Sequence, residues 1–420
     1  MQTLGDIGTA RLLCLAIING LAGCGQAPVP VDLLVENVTV YSGSNTSTFV
    51  GSVAIRDGRF LAITQPDEGS YRASETIDAS GLFMIPGLWD AHAHIRSSKE
   101  RGLDLAKFAE FGVTSIHDLG GYLERLKSVE HDVAKGTIPG PNIYSSYFML
   151  NGETFADYQR AVTSEAEIEL AIDELANAGA YQIKVHRALS PELLPLVVSL
   201  AHEHGIKVTG HIPLGVHPVD ACEIGMDGIE HIGSFVEALV SVAPESDTKT
   251  QQAIEFLLSG DADSLYECLA GRNIAVTPTL IIYPAIAARR SAGKEMPQEF
   301  IDFVAAMNRI AYRMYESNVR LLAGTDVSDF YESMTTKPGE SLLEELQMLE
   351  DAGIPTADVI KIASVNAAQS IGVGEKTGSI AAGKDADFVL LSADPGESVR
   401  NIRSIVAVYQ MGRGVFASAR

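Results

Sequence analysis

From Val31 to Ile77 the chain runs in short apolar segments, LLVENVTVY, GSVAIRDG and RFLAIT, broken by Gly, Asn and Asp. Side chains leave a strand on alternate faces, so this alternation predicts antiparallel strands with one face buried. The tail repeats the pattern in GSIAAGKDADFVLLSADP and IRSIVAVYQMGRGVF. The two ends together predict a small β-sandwich domain built from residues 33–85 and 376–420. The body between them, residues 86–375, alternates apolar strand candidates with amphipathic helical stretches such as SEAEIELAIDELANAG and PELLPLVVSLAHEHG. The strand candidates are IPGLWDAHAHI, VTSIHDLGG, NIYSSYFML, YQIKVHR, IKVTGHIP, GIEHIG, IAVTPTLII and VRLLAGTDV. Eight β/α units in succession predict an α/β fold, a closed (β/α)8 TIM barrel with its chemistry at the C-terminal strand ends.

Ahead of the first strand lies MQTLGDIGTARLLCLAIINGLAGCGQAPVP, with an apolar run from Leu12 to Ile18 too short to span a bilayer. It ends in Leu21-Ala22-Gly23-Cys24, which resembles a bacterial lipobox. That resemblance implies a signal peptide over residues 1–23, lipidation of Cys24, a tether over residues 24–32 and a protein exported and lipid-anchored in the periplasm. Gly25 after the cysteine resembles outer-membrane sorting. Of the remaining cysteines, Cys222 and Cys268 are expected as buried free thiols, with pairing the alternative in an oxidising compartment. The composition is ordinarily globular, 46% hydrophobic and 20% charged. The balance of 31 Lys+Arg against 54 Asp+Glu gives a formal charge of -23, which opposes nucleic acid and anionic membrane surfaces and favours a small-molecule substrate. Whether the chain forms a homo-oligomer is open at this stage.

Polar residues punctuate the predicted strand ends. His92 and His94 stand two apart in a strand, so both imidazoles face one spot and make half a metal site; a hydrogen-bonded or solvated pair is the alternative. Lys184 sits inside YQIKVHR, where an apolar strand should not carry an unpaired ammonium. A neutral lysine there can take up carbon dioxide to give an anionic carbamate, and a snorkelling or salt-bridged lysine is the alternative. His211, His231 and Asp326 end three further strand candidates. His186, two residues beyond Lys184, shares its strand face and could meet substrate or an oxyanion.

IPGLWDAHAHI, QIKVH, VTGHIPLGV, GMDGIEHIG and LLAGTDV, followed by SVNAAQSIGV and GSIAAGKDADFVLL, together resemble the amidohydrolase superfamily in its binuclear, carboxylated-lysine type. The likeness runs from Leu33 to Phe416 and lies in the branch of imidazolonepropionase-like proteins and Xaa-Pro dipeptidases. It implies two divalent metal ions, zinc by preference, one on His92, His94 and Asp326 and the other on His211 and His231, bridged by carboxylated Lys184. It further implies a metal-bridged hydroxide that hydrolyses an amide or peptide bond in a small peptide or N-acyl amino acid, with Asp326 carrying the proton to the leaving amine. Tyr144 and Arg187 join His186 as substrate-contact candidates. Two positions depart from the family pattern: Asn151-Gly152-Glu153 stands where dipeptidases often show Gly-Gly-His, and Leu343 where relatives often carry histidine. Ester, lactone or phosphotriester hydrolysis is the enzymatic alternative, and a lipid-anchored non-catalytic binding protein the other.

Overall fold

A computed structural model of the chain describes residues 27–44, 47–65, 69–96, 102–291, 296–329 and 336–418. The leader and Cys24 lie outside the described residues.

Five strands open the chain: β1 (Val29–Tyr41), β2 (Thr48–Arg56), β3 (Arg59–Thr64), β4 (Tyr71–Asp78) and β5 (Phe83–Pro86). The body contributes β6 (Leu88–His94), β7 (Val113–Asp118), β8 (Asn142–Ser145), β9 (Met149–Asn151), β10 (Gln159–Ala161), β11 (Gln182–Val185), β12 (Lys207–Gly210), β13 (Gly228–Glu230), β14 (Ala275–Thr277), β15 (Arg320–Leu321) and β16 (Val327–Ser328). The tail adds β17 (Phe388–Leu391), β18 (Ile405–Gln410) and β19 (Arg413–Ala417). The expected tether is shorter than residues 24–32, because β1 already begins at Val29 and buries Val31.

Strands from both chain ends make one eight-stranded sheet, ordered β19-β18-β17-β5-β1-β2-β3, with β4 also paired to β1. Hydrogen bonding therefore gives a single sheet where a two-sheet sandwich was expected. The length of β1 explains the branch: its first half pairs in parallel with β4 and its end with β5. The sheet nevertheless encloses a core, since the Phe60 ring on β3 lies 6.2 Å from that of Phe388 on β17, four strands further along. Val35, Val38, Val53 and Met84 are buried in the same cluster.

The body is α/β, with parallel strands inside amphipathic helices. One such helix, Glu165–Ala178, starts where the Ser164 hydroxyl accepts the Glu167 N–H and stops at Gly179, whose φ of 84° suits glycine. It buries Ile168, Ala171, Ile172 and Leu175. The strands form two parallel sheets, β16-β6-β7-β8 and β10-β9-β11-β12-β13-β14-β15, rather than the one continuous closed ring expected. Strands of only two to four residues at the junctions leave too little ladder to join the sheets. Isolated backbone bonds cross both gaps, Tyr181 N–H to the Ser145 carbonyl at 3.0 Å and Ala91 N–H to the Ala323 carbonyl at 2.8 Å. The arrangement is TIM-barrel-like, and the C-terminal strand ends converge on one side.

Cys222 and Cys268 form a disulfide between the helices Pro218–Ile224 and Asp263–Gly271, with Cα atoms 6.4 Å apart. This corrects the expectation of free thiols: packing of those two helices brings together residues whose spacing in sequence carried no geometry.

Candidate metal centre and active site

The site is assembled from the C-terminal ends of five strands. His92 and His94 lie in β6 and Lys184 in β11, while His211 and His231 follow directly after β12 and β13. Asp326 precedes β16, and its backbone N–H donates to the His92 carbonyl at 2.8 Å. Gly324 permits that approach, since a Cβ there would fall 2.7 Å from the His92 Cβ. Backbone φ is positive at His231 (65°), Asp326 (53°) and Thr279 (50°), costly conformations that surrounding structure must hold in place.

One carboxylate oxygen and one nitrogen from each of His92 and His94 all lie within 4.8 Å of one another. The Nε2 atoms of His94 and His92 stand 3.2 Å and 3.5 Å from Asp326 Oδ1. The His231 ring lies 4.6 Å from that of His92 and 4.7 Å from that of His211, which in turn is 4.2 Å from His186. A cavity of about 160 Å³ is bounded by these groups together with Lys184, Met149, Phe155, Tyr158 and Ser328.

Contacts on the far side of the rings decide which nitrogen faces the cavity. His92 Nδ1 lies 2.8 Å from Glu230 Oε2 and His94 Nδ1 lies 2.9 Å from the Gly120 carbonyl; both partners only accept, so each Nδ1 carries the hydrogen. His231 Nδ1 is 2.8 Å from Thr279 Oγ1, whose own hydrogen goes to the Pro278 carbonyl. Each Nε2 is thereby left with its lone pair turned to the site, the orientation that metal-ligating histidines take. Lone pairs of His92 and His94 directed at a carboxylate repel unless a proton or a cation lies between them.

The electrostatics agree. Burial opposes ionisation of Asp326, but the adjoining His94 and His92 rings outweigh it and hold the carboxyl below its usual range. Burial also pushes His211 and His231 well below the ordinary imidazole value. Lys184 is 1% exposed, its Nζ has no hydrogen-bond partner, and burial lowers it to about 8 against the pull of Glu230 and Asp326. An ammonium so placed is easily made neutral. His186 is lowered to about 3, first by burial and then by Lys184.

The amidohydrolase family pattern matches residues 83–414, most of the chain and every residue of this site. The chain belongs to the amidohydrolase family. It is 29% identical over 276 residues to adenine deaminase 2 of Shouchella clausii, covering 56% of this chain and 47% of that protein, so it spans about half the length of that relative. It is 26% identical to imidazolonepropionase of Symbiobacterium thermophilum over 92% of this chain and 95% of that one. Among solved structures, a Xaa-Pro dipeptidase with bound methionine in its active site superposes with a TM-score of 0.70 at 18% identity, covering 92% of this chain and all of that one. Amidohydrolases are hydrolases, here with relatives that act on carbon–nitrogen bonds, and they typically use a divalent metal.

Not every residue singled out in the sequence reaches the cavity of this amidohydrolase. Tyr144 is buried elsewhere, stacked on Trp89 at 4.8 Å and edge-on to Tyr181, in an apolar cluster with Ala275 and Leu322 that does not border the cavity. Arg187 lies on the rim, 3.8 Å from Glu237, with both side chains about half exposed. Conversely, sequence reasoning passed over Glu230, Thr209 and Thr279. Glu230 holds His92 with one oxygen and accepts the Thr209 hydroxyl at 2.6 Å with the other. A carboxylate closing the apolar run GIE directly before His231 was the available signal. Asn151, one of the departures from the family pattern, accepts the Gly152 and Ala188 N–H groups, so its amide nitrogen faces His186 Nδ1 at 3.4 Å. Leu343 is buried within the helix Glu340–Asp351.

Proposed function

We propose that the protein is a binuclear metal-dependent hydrolase that cleaves an amide or peptide bond in a small peptide or N-acyl amino acid. The observation that carries this reading is the set of Nε2 lone pairs fixed by Glu230, Gly120 and Thr279 around Asp326 and the partnerless Lys184 ammonium. His92, His94 and Asp326 would hold one ion and His211 and His231 the other, with carboxylated Lys184 shared between them. Nitrogen and oxygen donors of this kind suit zinc. Bound there, the ions supply a water acidified toward neutrality and a polarised substrate carbonyl.

The side chains do the rest. Asp326 is 23% exposed toward the cavity and ionised, so it can take a proton and return it to the departing amine. His186 stays neutral and borders the cavity, where a ring N–H can donate to an oxyanion. Phe155, 5.2 Å from the His186 ring and half exposed, offers an apolar wall for a substrate side chain. Similarity to a Xaa-Pro dipeptidase and to imidazolonepropionase favours carbon–nitrogen cleavage over ester, lactone or phosphotriester hydrolysis.

The parallel strands act as a closed barrel in this reading, with residues 86–375 as the catalytic body. The chain is exported, loses residues 1–23 and is held in the periplasm, at the outer membrane, by lipid on Cys24. The Cys222–Cys268 disulfide supports an oxidising compartment. Hydrolysis of Xaa-Pro and other dipeptides, N-acyl amino acids, lactones and phosphotriesters by metal-loaded protein tests the reaction, and turnover of the last two classes alone would reject the amide reading. Mass spectrometry of the N-terminal peptide tests the anchor, which an unmodified peptide starting beyond Cys24 would exclude.

A further inference from the structure

At the opposite ends of the barrel strands lies a second cavity, of about 460 Å³, whose walls include Asn273, Asn318, Arg320, Lys361, Asn366 and Gln369. Asn273 and Asn318 precede β14 and β15, which places it at the N-terminal strand ends, away from the histidines. Arg320 is partly buried, and desolvation alone, with no carboxylate opposing it, holds its guanidinium below the usual value. Among the described residues neither Arg320 nor Lys361 has a hydrogen-bond or ion-pair partner. Two acids share the wall, Asp358 accepting the Tyr315 hydroxyl at 2.7 Å and Glu316 bonding the Tyr312 phenol, and among the described residues neither forms an ion pair with Arg320 or Lys361. Lys207 is close enough for Arg320 to repel it, and it spends its ammonium on the Ser370 carbonyl at 2.7 Å.

This is unexpected in a chain with a formal charge of -23, where carboxylates outnumber cations. A partly desolvated cation without an ion-pair partner costs free energy that a bound anion would offset. One wall of the cavity is a π-helical turn, Ile362–Asn366, a distortion that recurs at functional positions. Its Asn366 amide donates to the Leu321 carbonyl at 2.9 Å, which keeps the turn against the strand that carries Arg320.

We infer that this cavity is a binding site for a small, multiply charged oxyanion of the phosphate or polycarboxylate kind, anchored in a two-pronged grip by Arg320 and neutralised further by Lys361. The inference is independent of the reaction at the histidine end. Calorimetric titration of the protein at low ionic strength with inorganic phosphate and, separately, citrate tests it. Saturable binding is expected, weakened about tenfold or more in Arg320→Met and less in Arg320→Lys and Lys361→Gln. Which anion binds tighter tells phosphate from polycarboxylate. Any hydrolytic activity should be the same in all variants. Absence of saturable binding to the wild type, or equal affinity in Arg320→Met, overturns the inference, because the anion would then sit elsewhere. Should Arg320→Met fail to fold, Lys361→Gln changes only an exposed side chain, and unaltered affinity there overturns it equally.

Discussion

Replacing Lys184 by methionine should make the metal-free protein more stable, although it removes a residue at the centre of the site. The Lys184 side chain is 1% exposed, its Nζ has no partner, and its pKa falls from 10.5 to about 8. At about 1.4 kcal/mol for each pH unit of that gap, the buried ammonium costs the fold about 3 kcal/mol. The sign follows from proton binding. The folded chain holds this proton less tightly than the unfolded chain, so the penalty is complete below pH 8, shrinks between 8 and 10.5, and is gone above. Methionine fills similar space without charge and pays none of it. Urea unfolding of chelator-stripped protein should therefore show Lys184→Met more stable by about 3 kcal/mol at pH 7, with the difference closing toward pH 10.5. A variant less stable than wild type at pH 7, or a gap that does not change with pH, would refute this account of the lysine. With metal restored the order should reverse, because a ligand is lost.

Three further outcomes follow from the same geometry. Asp326→Asn keeps an oxygen for coordination but cannot take a proton, so turnover of an amide should fall about a hundred- to ten-thousand-fold, and less for an activated ester with the same acyl group; equal losses on both would remove Asp326 from leaving-group protonation. Glu230→Gln should weaken metal binding about ten- to a hundredfold, since His92 loses its anionic partner, and competition against a chelating dye reads this directly, with unchanged affinity counting against the role. Cys222→Ser with Cys268→Ser opens a cross-link between residues 46 apart, which on loop-closure entropy costs about 4 kcal/mol; a melting temperature indifferent to the double substitution would show that the link constrains little.

Much of the site was legible because its first layer obeys local rules. His92 and His94 share a face by the two-residue period of β6, and Lys184 stands out only because ammonium groups do not belong in apolar strands. The parts that were not legible depend on distant chain. Glu230 reaches His92 across the barrel, Thr279 reaches His231 from a neighbouring strand end, and the Cys222–Cys268 pairing needs two helices to pack. Tyr144 was misplaced for the opposite reason: its position in β8 was right, but its ring packs on Trp89 with Ala275 and Leu322, a contact among distant strands, instead of reaching the cavity. Each of the eight strand candidates contains an observed strand, but the body holds eleven, and register and length at the two-residue β15 and β16 decide whether ladders join.

The pairing of β5 with β17 has a consequence for the order in which this protein can be made. Pro86 and Phe388 are partners, so the sheet begun by the first residues stays incomplete until nearly the whole chain has been synthesised. Until then β5 presents an open edge on that side, the kind of surface that recruits stray strands from other chains. Such a long-range contact is slow to close, and the intervening body must fold first to bring its ends together. Truncation anywhere before β17 should therefore leave an aggregation-prone product rather than a smaller soluble enzyme.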